Sequence, residues 1–209
     1  AKAATYHKPM ALQMISDDGV GPVDQNIGGH TRYRDHAWYH IAIEGDDQLR
    51  QRVGWALSQI FVTSTSGVAS FNSRRYDNSG YPQWLGVTDY YDMLLRNAFG
   101  NYRTLLGDVT YHPVMGVYLS HVKNPKGDPA RGTFPDENYA REIMQLFSLG
   151  LYDMEISGEY KRDAQNKLIE TYDNETIKNF ARVFTGLTFA GSNSFLGAGN
   201  NYHEEMVML

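Results

Sequence analysis

The chain contains no cysteine among its 209 residues. That absence excludes a disulfide scaffold, a thiol nucleophile and a zinc site built from cysteines. Long hydrophobic runs are also missing, so no segment has the length and composition of a membrane-spanning helix. No signal peptide is visible. The net charge is −5, and without a basic stripe to neutralise phosphates we expect no binding to nucleic acid.

What the chain does contain is a globular balance of residues. Hydrophobic residues make up 42% and charged residues 21% of the sequence. This length suits one domain, or one domain with extensions. The sequence ends on Glu204-Glu-Met-Val-Met-Leu209 without an ending signal, so we expect a processed or partial piece of a longer protein.

Apolar residues at helical spacing predict an all-α protein, an irregular multi-helix bundle with long loops. The predicted helices cover residues 34–45, 47–63, 89–99, 102–110, 114–121, 135–149 and 174–185. In one of them, the helix at 47–63, one apolar stripe is formed by Leu49, Val53, Ala56, Leu57 and Ile60, while Trp55 and Val62 point elsewhere. We expect a helix that is apolar on two sides to lie between neighbours. A small β-hairpin is predicted within residues 151–172.

Composition divides the chain into three parts. Residues 1–33 form an irregular N-terminal extension, because glycine and proline interrupt every period there. Residues 34–190 form the helical core domain. Residues 191–209 form a glycine-rich segment that we expect to continue into a further C-terminal part.

The most informative residue is Glu142, in the predicted helix between Pro135 and Gly150. Pro135 suits a first helical turn and Gly150 suits the position just after a helix end. At about 100° per residue, Glu142 falls between Leu146 and Leu149, inside the apolar face. A buried carboxylate without company is costly or takes up a proton. We therefore expect a cation, a metal ion or a set of donors facing Glu142.

A structural interpretation places Glu142 in a buried ion pair. Arg52 and Arg182 are the predicted cationic partners, since either could form a bidentate bond to the carboxylate. Asn138, one turn earlier, can assist. Such a pair would set how the helices register against each other.

A functional interpretation joins Glu142 to Asp136, His112 and His121. Carboxylates and imidazoles perform general acid–base catalysis or bind hard and borderline metals. Two carboxylates beside one cleft could also hydrolyse a glycosidic bond. The structural alternative is that Asp136 and His112 each cap a helix. The residue pattern leaves both interpretations open.

A weaker candidate for metal binding is the series His36, His40 and Glu44. Their i, i+4, i+8 spacing places them on one helix face, as metal ligands require. That face lies opposite Trp38 and Ile41, so we expect it to be exposed to solvent and predict no metal there. No nucleophile elbow, phosphate loop or dinucleotide fingerprint appears, and the cofactor stays open.

Several phrases together resemble one known family. They lie at residues 47–53, 56–62, 90–95, 97–102, 108–115, 118–121, 135–142 and 181–186. The most specific reads Pro-Asp-Glu-Asn-Tyr-Ala-Arg-Glu, at 135–142. Over roughly residues 35–190 the chain resembles the bacterial family DUF1800, a domain of unknown function. The resemblance implies a mostly helical, exported protein, often encoded beside a second exported family with a phosphatase- or sulfatase-like fold. It implies no activity and no catalytic residue.

Two functions follow from these observations. The first is an exported, periplasmic or extracellular domain that binds another exported protein through the loops at 64–86 and 186–203. The second is a hydrolase or metal-dependent enzyme in which Glu142 is base or ligand, assisted by His112 and Asp136. The surroundings of Glu142 distinguish them: an arginine in a closed core favours binding, and an open pocket beside a histidine favours catalysis. The oligomeric state is not indicated.

Overall fold

The computed structural model describes residues 3–19, 31–66, 68–73, 75–197 and 199–209. Its α-helices are α1 His7–Asp17, α2 Thr31–Glu44, α3 Gln48–Ile60, α4 Leu85–Arg96, α5 Tyr102–Tyr111, α6 Pro113–Tyr118, α7 Asn138–Gln145 and α8 Asn174–Ala181. Strands β1 Leu187–Thr188 and β2 Val207–Met208 pair antiparallel, with Leu187 opposite Met208. Short 3₁₀ turns lie at Ala69–Asn72, Pro129–Arg131 and Arg182–Phe184. The predicted fold class, helical with a small β element, is confirmed. None of the helices in these ranges is long and apolar enough to cross a membrane.

Short polar side chains set several helix starts. Asp173 accepts a hydrogen bond from the Thr176 N–H at 2.7 Å and so caps α8, the helix predicted to begin at residue 174. Asn101 caps α5 in the same way by accepting from the Arg103 N–H. These caps satisfy backbone donors that the first turn of a helix leaves without partners.

The main core is built around α4. Its buried Tyr90, Met93 and Leu94 pack in one hydrophobic cluster with residues of α5, α6, α7 and α8. The same cluster includes side chains from the connecting segments, namely Phe61, Phe71, Phe189 and Tyr202. Much of the loop at 64–86 is thus held by the core, because Phe71 and Trp84 are fully buried.

A second, smaller core forms where α1 and α2 meet the start of α4. It consists of Ala11, Ile15, Tyr33, Ala37, Trp84 and Leu85. The prediction of an irregular extension over residues 1–33 was therefore wrong for residues 7–17, which form α1. Pro9 does not interrupt α1, because a proline in the first helical turn removes no intrahelical hydrogen bond. The glycines at 21, 28 and 29 lie outside the described residues.

The β structure lies in two places, and one of them is the segment where the hairpin was predicted. Within residues 151–172 antiparallel bridges join Tyr152 to Glu170, Met154 to Tyr160 and Arg162 to Leu168, and backbone hydrogen bonds run alongside them. A two-stranded sheet also joins residues 187–188 to 207–208. The glycine-rich segment therefore returns to the body of the domain, where Tyr202 and Met206 are buried.

The helix that carries Glu142 is shorter than predicted. α7 ends at Gln145, and the chain continues in turns to Gly150, which adopts a left-handed conformation with φ +77°. Gly150 is thus the stop residue that the sequence indicated. Leu146 and Leu149 are 57% and 55% exposed. The buried apolar face of the helix that carries Glu142 is therefore narrower than the sequence pattern implied.

Candidate functional site

Glu142 turns one carboxylate oxygen into the protein. Its Oε2 is buried and has no hydrogen-bond partner among the described residues. The hydroxyl of Tyr172 is also buried and without a partner there. Burial raises the pKa of Tyr172, and the nearby Glu142 charge adds to that effect, while the Arg141 charge opposes it. Two unsatisfied polar groups therefore lie in the same neighbourhood.

A polar cavity of about 260 Å³ is lined by Tyr172 and by Arg141, the sequence neighbour of Glu142, but Glu142 itself does not line it. Its lining includes Arg141, Gln145, Tyr152, Glu170, Tyr172 and Asn174. Arg141 already forms the i, i+4 pair with Glu137 that the sequence predicted, at 3.4 Å and partly exposed. Such a pair contributes only a few tenths of a kcal/mol. The cavity offers donors and acceptors to a small polar group.

The arginines predicted to face Glu142 do not do so. Arg52 and Arg182 are both exposed, and no ion pair to Glu142 is formed within the described ranges. Asn138 is exposed too, and its backbone N–H donates to the Asp136 carboxylate. The reason is the narrow apolar face: Glu142 lies toward exposed leucines, so its direction is only partly buried.

Asp136 has the capping role that the structural alternative gave it. Its Oδ1 accepts the N–H of Asn138, the first residue of α7, at 2.8 Å. Its own backbone is held by buried Asn124, which accepts from the Asp136 N–H at 2.8 Å and donates to the Asp136 carbonyl at 3.0 Å. The carboxylate of Asp136 is thus committed to the start of its own helix.

His112 also has the predicted capping role. Its Nδ1 accepts the Val114 N–H at 3.2 Å at the start of α6. Burial lowers the pKa of His112 to about 3, and nearby His203, Arg96 and Lys8 lower it further. The ring is therefore neutral at neutral pH, as a capping acceptor must be.

His121 lies in a different part of the core. Its Nε2 donates to the Thr110 carbonyl at 2.9 Å, and its ring stacks on Tyr139 with centroids 3.8 Å apart. Burial lowers the pKa of His121 to about 4, opposed by the Thr110 hydrogen bond. Neither His112 nor His121 has Glu142 among its hydrogen-bond, ion-pair or ring partners in the described chain. The predicted acid–base group is not assembled.

A buried charged cluster joins α1, α4 and the C-terminal segment, and the sequence reasoning missed it. The Lys8 Nζ lies 3.1 Å from His203 Nδ1 and 3.6 Å from Asp89 Oδ1. His203 Nε2 lies 3.8 Å from Asp77 Oδ2, and His112 Nε2 lies 4.0 Å from Asp89 Oδ2. Burial raises the pKa of Asp89 and lowers that of His203 to about 4.

The chemistry of this cluster is that of a closed structural network. The side chain of His203 is 3% exposed, and its Nδ1 lies 3.1 Å from Lys8 Nζ and 3.9 Å from Asp89 Oδ2. No group of three histidine or acidic side chains suited to a metal ion occurs in the part of the chain that the structure describes. A lysine at the centre of a cluster also repels a metal cation.

Asp92, one turn after Asp89, anchors α1. Its carboxylate accepts the His7 N–H at 2.7 Å and the Lys8 N–H at 2.8 Å, and lies 3.1 Å from His7 Nδ1. Both acids sit among apolar residues of α4, so the argument applied to Glu142 would have found them. Asp89 and Asp92 are three residues apart, and this spacing, which makes them neighbours on the helix, is the sequence signal that could have identified them.

The series His36, His40 and Glu44 is exposed on α2, as predicted. Its members belong to no metal-binding group in the described ranges. His36 makes an edge contact with Tyr33, with ring centroids 6.4 Å apart. This helix face is therefore a solvated surface in the structure.

Comparison with known proteins gives one match. Residues 9–207 match the family profile described as "Protein of unknown function (DUF1800)", which covers more of the chain than the phrases at 35–190 suggested. No curated protein and no solved structure matches the chain.

Proposed function

The chain belongs to the DUF1800 family, and we propose that it is a binding domain that docks a partner protein outside the cytoplasm. The observation that carries the proposal is the apolar stripe of α3. The sequence pattern predicts this stripe to be core, yet Leu49 is 71% and Ile60 is 44% exposed. α3 instead buries Gln51 and Gly54 against the body of the domain.

The stripe has the form of a helix surface made for a protein partner. Leu49, Ala56 and Ile60 are exposed at i, i+7 and i+11 on α3, with Val53 partly buried between them at i+4, whereas Leu57 of the same stripe packs against the main core. Apolar residues at this spacing normally mark the buried side of an amphipathic helix. An exposed apolar row of this kind is typical of surfaces that receive another protein.

Charge indicates what kind of partner fits. Residues 48–60 contain Arg50 and Arg52 and no acidic residue, although the whole chain carries −5. Arg50 is occupied, because it donates to the Leu95 carbonyl at 2.8 Å. Arg52 is exposed and forms no ion pair with a described residue. We expect a partner surface with an apolar ridge and a carboxylate placed to meet Arg52.

We also propose that the protein acts outside the cytoplasm. The resemblance to an exported bacterial family supports a periplasmic or extracellular site of action, and hence an exported partner. The acidic net charge supports a protein rather than a nucleic acid as that partner.

The test compares the chain with a Leu49→Asp/Ile60→Asp double variant. The control is Ile156→Asp, which adds one negative charge, against two in the double variant, at a fully exposed isoleucine outside α3. An exported protein that co-purifies with the tagged chain is produced separately, and its affinity is measured by titration calorimetry. We expect the double variant to bind at least tenfold more weakly and the control to bind as the parent does. Equal affinity of all three proteins contradicts the proposal, and so does self-association through α3 in sedimentation experiments.

A second candidate is acid–base hydrolysis at Glu142. It is favoured by the unpartnered Glu142 Oε2 and by the unpartnered hydroxyl of Tyr172, a residue that lines the polar cavity. His112 and Asp136 are engaged as helix caps, so Tyr172 replaces them as the assisting group. If this candidate holds, the chain hydrolyses members of a glycoside panel, and Glu142→Gln and Tyr172→Phe each abolish turnover while the proteins stay folded. A parent chain without turnover, or variants that retain it, would reject the candidate.

A further inference from the structure

Two cavities open between α2, α3 and α4 and share three residues. The larger has a volume of about 310 Å³ and the smaller about 180 Å³. His7, Trp38 and Tyr91 line both, so the two cavities are neighbours, and we name the pair the aromatic cleft. Its size falls within the range of small-molecule sites.

The aromatic side chains of the cleft are held in place. Burial raises the pKa of the Tyr91 hydroxyl and nearby Trp38 opposes that rise, while the Tyr91 ring meets His7 edge-on with centroids 4.7 Å apart. Trp55 completes the lining of the larger cavity and is 50% exposed. Rings fixed in this way offer flat apolar surfaces at little entropic cost on binding.

Two glutamines supply oriented acceptors. The Gln48 amide donates to the carbonyls of Gly45 at 2.8 Å and Ile41 at 3.2 Å. The Gln51 amide donates to the Thr5 carbonyl at 2.9 Å. These bonds fix which end of each amide is nitrogen, and neither Oε1 has a donor within the described chain. Both residues line the larger cavity, so each oxygen is available to a ligand hydroxyl.

Thr88 supplies the observation that points most directly to a ligand. The residue is 2% exposed, it lines the smaller cavity, and its Oγ1 has no hydrogen-bond partner among the described residues. A buried hydroxyl left unpaired is unfavourable, and native proteins rarely keep one without a reason. A ligand hydroxyl in the smaller cavity would satisfy it.

The charges of the cleft select among ligands. Arg52 lines the larger cavity and opposes a cation. In the smaller cavity Arg34 and Asp35 pair with each other at 3.3 Å, so that side is close to neutral. One unpaired guanidinium provides a hydrogen-bond donor without forming the cluster of cations that a phosphate or sulfate group requires.

We infer that the aromatic cleft binds a neutral oligosaccharide. The apolar face of a sugar ring would stack on Trp55 and Trp38, and its hydroxyls would meet the oxygens of Gln48 and Gln51 and the hydroxyl of Thr88. This combination of flat aromatic surface, fixed acceptors and a free hydroxyl suits a ring that is apolar on its faces and polar at its edges. The site shares Arg52 with the surface proposed for the partner protein, but none of its lining residues belongs to the α3 stripe, and the inference stands independently of the proposed function.

The test titrates the chain with cellotetraose, xylotetraose, maltotetraose and tetra-N-acetylchitotetraose, followed by tryptophan fluorescence and calorimetry. We expect at least one of them to bind, with Trp55→Ala weakening its affinity tenfold or more. Thr88→Val removes the unpaired hydroxyl while keeping the side-chain shape, so it should weaken binding severalfold without lowering the unfolding midpoint. Tyr39→Ala is the matched control, because Tyr39 is an exposed aromatic of α2 beside Trp38 that does not line either cavity.

Three results would overturn the inference: no binding of any of the four sugars, unchanged affinity in folded Trp55→Ala and Thr88→Val proteins, or binding of tetramethylammonium in place of the sugars. Gln48→Leu provides a further variant if Trp55→Ala does not fold, and it should weaken binding by the same reasoning. Sugar affinity should be unchanged in the Leu49→Asp/Ile60→Asp variant. The two proposals can therefore fail separately.

Discussion

At the scale of single residues, two carboxylates in helices show how differently a buried acid can be treated. Asp92 on α4 is almost fully buried, and its oxygens meet two backbone N–H groups and an imidazole. Glu142 on α7 buries one oxygen without a partner in the described chain. The first stabilises the fold through its hydrogen bonds. The unpartnered oxygen of Glu142 lowers the stability of the fold.

The substitution Glu142→Gln should therefore leave the free energy of unfolding unchanged or raise it by up to about 1 kcal/mol, because it removes a poorly solvated charge and breaks no ion pair. Urea denaturation at pH 7 measures the change. Glu137→Gln is the control, since its partly exposed pair with Arg141 should be worth only a few tenths of a kcal/mol. A loss well above about 1 kcal/mol for Glu142→Gln would mean that the carboxylate has a partner after all.

The same residues show how far the site could be predicted from the sequence. The helical arithmetic correctly turned part of Glu142 inward, because it depends only on local geometry. It failed to identify the surroundings, since Leu146 and Leu149 are exposed although they are apolar. Which apolar residues become core is decided by distant segments, and one helix does not contain that information.

At the scale of elements, α3 and α4 approach closely at a glycine. A Cβ added at Gly54 would lie 2.3 Å from Leu95 Cδ2, and Leu95 is fully buried. The close contact explains why α3 turns Gly54 inward and leaves its larger apolar residues outside. Here packing distance overrides the hydrophobic pattern.

Gly54→Ala should accordingly destabilise the protein by about 1–3 kcal/mol, because the buried leucine must move. Gly107→Ala is the matched comparison, since Gly107 lies within α5 with no atom within 4 Å of its added Cβ. It should stabilise by about 0.5–1 kcal/mol through the better helix propensity of alanine. Thermal and urea unfolding of both variants measure the difference, and two changes of the same sign would show that the close approach has no consequence.

Helix signals that are local were predicted well, and those that depend on remote packing were not. The cap at Asp173 and the left-handed Gly150 follow from a few neighbouring residues. Helix α1 was missed because its buried face, formed by His7, Ala11 and Ile15, includes only one large apolar side chain. Strand β2 was missed because its pairing with β1 joins segments about twenty residues apart.

At the scale of the whole molecule, three buried histidines couple the fold to pH. Burial lowers the pKa of His112 to about 3 and the pKa values of His121 and His203 to about 4. In the unfolded chain they titrate near pH 6.5. Below that pH the unfolded chain binds more protons than the folded one, so stability is complete above about pH 6.5 and falls as the pH drops toward 4.

The variant His112→Asn tests this coupling, because asparagine keeps an oxygen acceptor for the cap of α6 and does not titrate. Between pH 6.5 and 4.5 its unfolding free energy should fall less steeply than that of the parent, by up to about 1.4 kcal/mol per pH unit. Urea midpoints across that range provide the measurement. Asp89 Oδ2 lies 4.0 Å from His112 Nε2, so the two proteins are also compared in an Asp89→Asn background, which removes the titration of Asp89. Parallel slopes would show that folding does not lower the pKa of His112.

The contact between Lys8 and His203 has a kinetic consequence. Their side-chain nitrogens lie 3.1 Å apart although 195 positions separate the residues along the chain. Bringing such distant points together is entropically unfavourable until the intervening polypeptide is already compact. The Lys8–His203 contact should therefore form among the last events of refolding. It should break among the first when the two ends of the chain are pulled apart.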